Sequence, residues 1–243
     1  MNDSAISAIL FDVGGVLVSD YDIQSDLRNA LYNPEHFDQQ WPKALHDYES
    51  GFIDESTFLR RLGCDHPSPE QYDRLTRGFR DHQVYFQNVI TFARSLTTHG
   101  LQVGILSNAM PSHSAILQQA GIYDGFRPCL LSWQIGHHKP ERDAFTSALS
   151  ALNLSDHPEH VLFIDNHQNN LDAAVACGMH TLLAVRQATQ AQTEQMIIMG
   201  ITDKIAVPWR CAMISDYHPA RAAAGGLGGW QAFGCSSGQL PRG

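Results

Sequence analysis

The sequence predicts an α/β fold: a doubly wound, Rossmann-like parallel sheet with a small helical cap inserted after the first strand. Three observations carry this prediction. Short apolar runs at Ala8-Ile9-Leu10-Phe11, Leu101-Gln102-Val103-Gly104-Ile105-Leu106 and Val161-Leu162-Phe163-Ile164 have the near-continuous hydrophobicity of strands buried on both faces. From Leu101 onward, runs of this kind alternate with helix-length segments, the pattern of a parallel sheet with crossover helices. Residues 19–94 contain no buried strand and read as helices, so they form an insert above the strand tips.

In chain order, Asp12 follows the first strand, and Gly14 and Gly15 let the backbone turn tightly and approach a ligand. Within the insert, Pro42 is expected at a helix boundary or kink. Ile53, Phe58, Leu59 and Leu62 share a helical face that Gly63 can stop. Ser68-Pro69-Glu70-Gln71 joins an N-cap serine, a proline at the first helical position and a glutamine at N3, which marks a helix start. Residues 84–99 read as one more helix, stopped by Gly100. Strand 101–107 leads to a helix over 112–120 closed by Gly121, and a strand at 128–132 precedes a helix over 140–152. Strand 160–165 leads to a helix over 169–177 closed by Gly178, and a last strand covers about 180–185. The expected division is a core of 1–18 and 95–205, a cap of 19–94, and a Gly/Ala-rich, poorly ordered tail of 206–243 with Trp209, Trp230 and Phe233 as anchors.

Composition narrows the function classes. The net charge of −9 and the lack of a basic run argue against a nucleic-acid surface. No apolar stretch approaches the length of a membrane span. The chain enters a strand almost at once, so no leader is expected at its start. Five scattered cysteines without C-x-x-C spacing suit a reducing, cytoplasmic setting. Thirteen histidines form no H-E-x-x-H pattern, so no dedicated zinc site is expected.

Chemistry is expected at the strand tips, because ligands of open α/β sheets sit beyond the carboxyl ends of the strands. If the three apolar strands are parallel neighbours, Asp12, Ser107 and Asp165 converge there. Gly136-His137-His138-Lys139-Pro140-Glu141 brings a lysine to a helix start between the last two.

These residues together resemble the haloacid dehalogenase-like hydrolase superfamily. Asp12-Val13-Gly14-Gly15-Val16 is similar to its first motif and Ser107-Asn108 to its second. The stretch from Gly136 to Glu141 is similar to its third. Asp165-Asn166, with Asn170, Ala173-Ala174 and Gly178, is similar to its fourth. The resemblance covers residues 1 to about 190, and Tyr48-Glu49-Ser50-Gly51-Phe52-Ile53 looks like the cap helices of the small-molecule phosphatase branch. It implies a Mg²⁺-dependent phosphatase of a small phosphorylated metabolite, monomeric or homodimeric, working through an aspartyl-phosphate on Asp12. Asp12, the Gly14 carbonyl and Asp165 would hold Mg²⁺. Ser107 and the Asn108 amide would bind phosphoryl oxygens, and Lys139 would screen the charge they share with Asp12.

Two positions depart from the family pattern. Gly14 stands where many family phosphatases carry a second aspartate, the general acid/base, so protonation of the leaving group has no obvious source. Asn166 stands where an aspartate is usual, which removes negative charge near the metal. A metal-free dehalogenase and a degenerate, non-catalytic binding member remain as alternatives. His137, His138 and His167 read as surface-loop residues, and Asp20 and Asp22 as the beginning of the cap.

Overall fold

A computed structural model describes residues 5–30 and 34–205. The expected Gly/Ala-rich tail therefore lies outside the described residues. The chain runs β1 (Ala8–Phe11), α1 (Ile23–Ala30), α2 (Pro34–Glu49), α3 (Glu55–Arg61), α4 (Pro69–His82) and α5 (Gln87–Ser95). It continues through β2 (Gln102–Ser107), α6 (Pro111–Gln119), β3 (Cys129–Leu131), α7 (Ser132–Ile135) and α8 (Arg142–Ala151). The last elements are β4 (Val161–Asp165), α9 (Gln168–Ala176), β5 (His180–Leu183) and α10 (Gln190–Lys204).

The five strands form one sheet in the order β3-β2-β1-β4-β5, and every pairing is parallel. The register sets Phe11 between Ile105 and Ile164. Asp12, Ser107 and Asp165 are thus brought to the carboxyl ends of three adjacent strands. The alternation of side chains along a strand sorts the core into two layers. Ile9 and Phe11 pack with Val89, Ile90 and Phe92 of α5 and with Ile197 and Ile201 of α10. Ala8 and Leu10 face Phe145 and Leu149 of α8 and Leu171 of α9. A doubly wound sheet results, with both faces covered.

Residues 23–82 build a separate apolar cluster. Phe37, Trp41, Ala44 and Tyr48 line one face of α2 and meet Phe58, Leu59 and Leu62. The rings of Tyr48 and Phe58 stack at 4.7 Å, and those of Phe37 and Trp41 at 5.1 Å. Met110, at the start of α6, is the core's contribution to this cluster. α4 opens with the expected capping box: Ser68 N donates to Gln71 Oε1 at 2.7 Å, and Ser68 Oγ accepts from Gln71 N.

Several expectations need correction. Pro42 lies inside α2, so of the two expected placements, a boundary or a kink, the boundary is ruled out. The apolar face from Phe37 to Tyr48 is buried on both sides of it, and that packing outweighs the roughly 3 kcal/mol that an interior proline costs. Ile53 lies ahead of α3, because Asp54 accepts from Thr57 N and starts the helix after it. The helix expected from residue 84 begins at Gln87: Val18 bridges Tyr85, and Leu17 O accepts from Phe86 N. Residues 87–94 are expected in the cap, yet Val89, Ile90, Phe92 and Ala93 pack into the sheet layer. The sequence reading has no element over 190–204, where α10 folds behind a Thr189–Gln192 capping box.

Candidate active site

The turn after β1 is shaped by its backbone. Leu17 N and Val18 N both donate to Val13 O, at 2.9 and 3.0 Å, and Gly15 N donates to Val18 O at 2.8 Å. Gly15 adopts φ +72, a left-handed conformation that glycine takes without penalty. The chain folds back on itself, and Ser19 N then ties to Val84 O at 2.8 Å.

Three buried charges meet at the strand tips. Lys139 Nζ lies 3.0 Å from Asp12 Oδ1 and 2.7 Å from Asp165 Oδ2. The exposures are 1% for Lys139, 7% for Asp12 and 0% for Asp165. Lys139 also stands 5.1 Å above the Phe163 ring. Asp165 is held on every side: Oδ1 accepts from His167 N at 2.7 Å, and Oδ2 accepts from Asn170 Nδ2 at 3.0 Å as well as from Lys139. Asp12 Oδ1 accepts from Val13 N at 2.7 Å.

Two carboxylates share one ammonium, so the cluster is short of positive charge. Burial pushes the Asp12 carboxyl from 3.8 up to about 6. Lys139 opposes that rise, Asp165 adds to it, and a hydrogen bond from Ser107 opposes it. The oxygens around the deficit are those of the Asp12 and Asp165 carboxylates, which suit a hard divalent cation such as Mg²⁺.

Asn108 acts through its side chain as well as its place beside Ser107. Its Nδ2 donates to Lys139 O at 2.8 Å, and its Oδ1 accepts from Lys139 N at 2.8 Å. This two-point clamp ties the second motif to the third and fixes the origin of the lysine side chain. Gly14 lines the same cavity, about 540 Å³ in volume, together with Asp12, Ser107 and Lys139. His46 and Glu49 of the cap line its other side.

The cap meets the core through a crossed pair of contacts. Cap His46 Nε2 lies 2.7 Å from core Glu141 Oε1, and core His138 Nε2 lies 2.8 Å from cap Glu49 Oε2. The two imidazole rings are 5.0 Å apart. The His46 pKa is raised, chiefly by its hydrogen bond to Glu141. His138, expected as a surface-loop residue, is instead enclosed between Glu49 and Asn108. His167 remains exposed and contributes its backbone N–H to Asp165. Asp22 does begin the cap: its carboxylate accepts from Ser25 N and Oγ ahead of the first turn of α1. Asp20 does something else, for it turns back and accepts from Asn166 Nδ2 at 3.1 Å.

Sequence reasoning missed His46 altogether, and although Glu141 and Glu49 stand in the third motif and the cap stretch, their contacts with His46 and His138 were not legible there. Asn170 was visible as the asparagine of the fourth motif, but its bond to Asp165 was not. His113 is a further lining residue, pushed down to about 4 by burial, with Nε2 2.6 Å from Leu75 O.

A family model of haloacid dehalogenase-like hydrolases matches residues 6–178, from β1 to the end of the fourth motif. The chain belongs to this hydrolase family. Solved structures of similar fold include a haloacid dehalogenase (HAD) family enzyme from Bacteroides thetaiotaomicron in complex with magnesium and inorganic phosphate. It is 18% identical, with a TM-score of 0.60 over 76% of this chain and 98% of that one. A HAD-like family hydrolase from Porphyromonas gingivalis is 22% identical, with a TM-score of 0.60 over 79% of this chain and 98% of that one. An L-2-haloacid dehalogenase is 19% identical, with a TM-score of 0.55 over 79% and 99%. At these identities the likeness speaks for the fold alone. No curated protein matches the chain. Among the described residues no helix is long and apolar enough to cross a membrane.

Proposed function

We propose that this hydrolase is a Mg²⁺-dependent phosphatase of a small phosphorylated metabolite. The observation that carries the reading is the buried Asp12–Lys139–Asp165 cluster, which holds two carboxylates against one ammonium under a capped cavity. Such a site is suited to an anion accompanied by a second cation. The phosphate-and-magnesium complex of the Bacteroides enzyme, on the same fold, is consistent with it.

Asp12 is the nucleophile. With its carboxyl at about 6, it is mostly ionised at neutral pH. One of its oxygens attacks phosphorus, and the bond between phosphorus and the ester oxygen breaks. Water then attacks the same phosphorus and releases inorganic phosphate and the free carboxylate, so two easier displacements replace one. Ser107 Oγ and the Asn108 backbone N–H bind phosphoryl oxygens. Lys139 neutralises charge as the nucleophile and phosphate approach, and the Asn108 clamp and the ion pair to Asp165 keep it in place. Asp12, the Gly14 carbonyl and Asp165 would hold Mg²⁺, which when bound supplies positive charge for the phosphoryl oxygens. His46 and Glu49 of the cap line the cavity, and cap side chains over the phosphate set the substrate.

A panel of phosphate monoesters and 2-haloacids, each with Mg²⁺ and with EDTA, tests the reading. Phosphate release that requires Mg²⁺ is expected. Halide release unaffected by EDTA, with no phosphate release, would replace it by dehalogenation.

A further inference from the structure

The two departures from the family pattern, Gly14 and Asn166, meet at one side chain. The turn of 13–18 brings residue 20 back over residue 14, and the Asp20 carboxylate comes to rest there. A β-carbon built on Gly14 would lie 3.4 Å from Asp20 Oδ1. One built on Gly15 would collide with the Asn166 amide and lie 3.0 Å from Asp20 Oδ2. Gly14 thus leaves open the space that Asp20 borders, and Gly15 lets Asn166 reach across to hold it at 3.1 Å. An aspartate at 166 would face Asp20 as a like charge, whereas asparagine donates to it. Asp20 lines the same cavity as Asp12, Ser107 and Lys139. Its backbone is anchored beside the crossing of core and cap: Ser19 N donates to Val84 O, and Ser19 Oγ accepts from Val84 N at 3.0 Å.

We propose that Asp20 is the proton donor and acceptor of the reaction, supplying from the start of the cap the carboxylate that residue 14 lacks. This assignment rests on the phosphatase reading above. As Asp12 bonds to phosphorus and the ester bond breaks, the Asp20 carboxyl gives its proton to the departing alkoxide, which leaves as the alcohol. The Asp20 carboxylate then takes a proton from the water that attacks the aspartyl-phosphate. Phosphate and free Asp12 are released, and Asp20 is again protonated. Asn166 is a positioning residue for this step.

The test is the leaving-group dependence of Asp20→Asn, read by rapid mixing with para-nitrophenyl phosphate and with a panel of alkyl phosphate monoesters. General acid–base catalysis is typically worth 10²–10⁴-fold. Alkyl ester turnover is expected to fall by about a hundredfold or more. The aryl ester needs little help in leaving, so it is expected to give a burst of one nitrophenol per site followed by slow turnover, because the second step has lost its base. Gly14→Asp combined with Asp20→Asn should restore alkyl turnover, since Gly14 is outside the left-handed region and its β-carbon meets only ordinary contact. If Asp20→Asn does not fold, Asn166→Ala, which frees Asp20, is expected to show the same pattern, alkyl loss with an aryl burst, to a smaller degree. Equal loss on both ester classes without a burst would overturn the assignment and leave the phosphatase reading standing, as would unchanged kinetics. A wild type that hydrolyses neither class overturns both.

Discussion

Asp12→Asn should abolish turnover and at the same time stabilise the metal-free protein at neutral pH. The amide is isosteric, can still accept from Val13 N and Lys139, and cannot attack phosphorus. The stability gain follows from Asp12 ionised in a buried place where Asp165 already claims Lys139. The rise of its carboxyl from 3.8 to about 6 corresponds to about 3 kcal/mol at about 1.4 kcal/mol per tenfold change in proton affinity. Because the folded-state value is the higher one, the folded chain binds this proton more tightly than the unfolded chain does. The Asp12 contribution to wild-type stability is therefore present in full below 3.8 and is lost as pH rises through about 6. The variant has no such loss. Its advantage should reach about 3 kcal/mol at pH 7.5, or roughly 5–10 °C in Tm, and shrink to about 1 kcal/mol near pH 4.5. Thermal unfolding in EDTA at the two pH values measures both. A variant less stable than wild type at pH 7.5, or an advantage that does not change with pH, would refute the account of the charge-deficient cluster. Retention of more than a few per cent of wild-type phosphatase activity would remove Asp12 as nucleophile.

Lys139→Met leaves Asp12 and Asp165 buried without their shared cation, which should cost about 3–5 kcal/mol at pH 7.5. Denaturant unfolding in EDTA should show the deficit shrinking as pH falls and one carboxylate takes up a proton; a pH-independent deficit argues against it. Asp165→Ala should raise the Mg²⁺ concentration for half-maximal turnover at least about tenfold, since even the outer partners of metal ligands are worth roughly 10–100-fold. A Mg²⁺ titration with an unchanged midpoint takes Asp165 out of the metal shell. Phe58→Ala removes a fully buried ring that stacks on Tyr48 and should destabilise the cap by about 3–5 kcal/mol. Limited proteolysis should then cut within 34–82 well before the sheet, and equal protection of both regions would count against a separately packed cap.

The tips of β1, β2 and β4 and the start of α4 were legible because each is announced within a few neighbouring residues. The runs that became β1, β2 and β4 were apolar on both faces, and both faces are covered. The Ser68 capping box needed only four residues to be read. The placement of Asp12, Ser107 and Asp165 at one edge required a single further condition, that their strands be parallel neighbours. The sheet order meets it. The local rule for proline left Pro42 at either a boundary or a kink, because it carries no information about the burial of Phe37 and Tyr48 on either side of it.

The sequence by itself determined the layered α/β fold, the order of the four motifs and the carboxylates and lysine at the strand tips. These depend on periodicity and on residue types a few positions apart. Only the tertiary structure decided which distant side chains meet. His46 reaches Glu141, Glu49 reaches His138, and Asn166 reaches Asp20 across separations of about ninety residues or more. The same holds for the return of Asp20 over Gly14, which depends on a backbone turn and on how the insert docks. Such contacts are set by the packing of whole elements against one another, and a run of neighbouring residues carries no record of it.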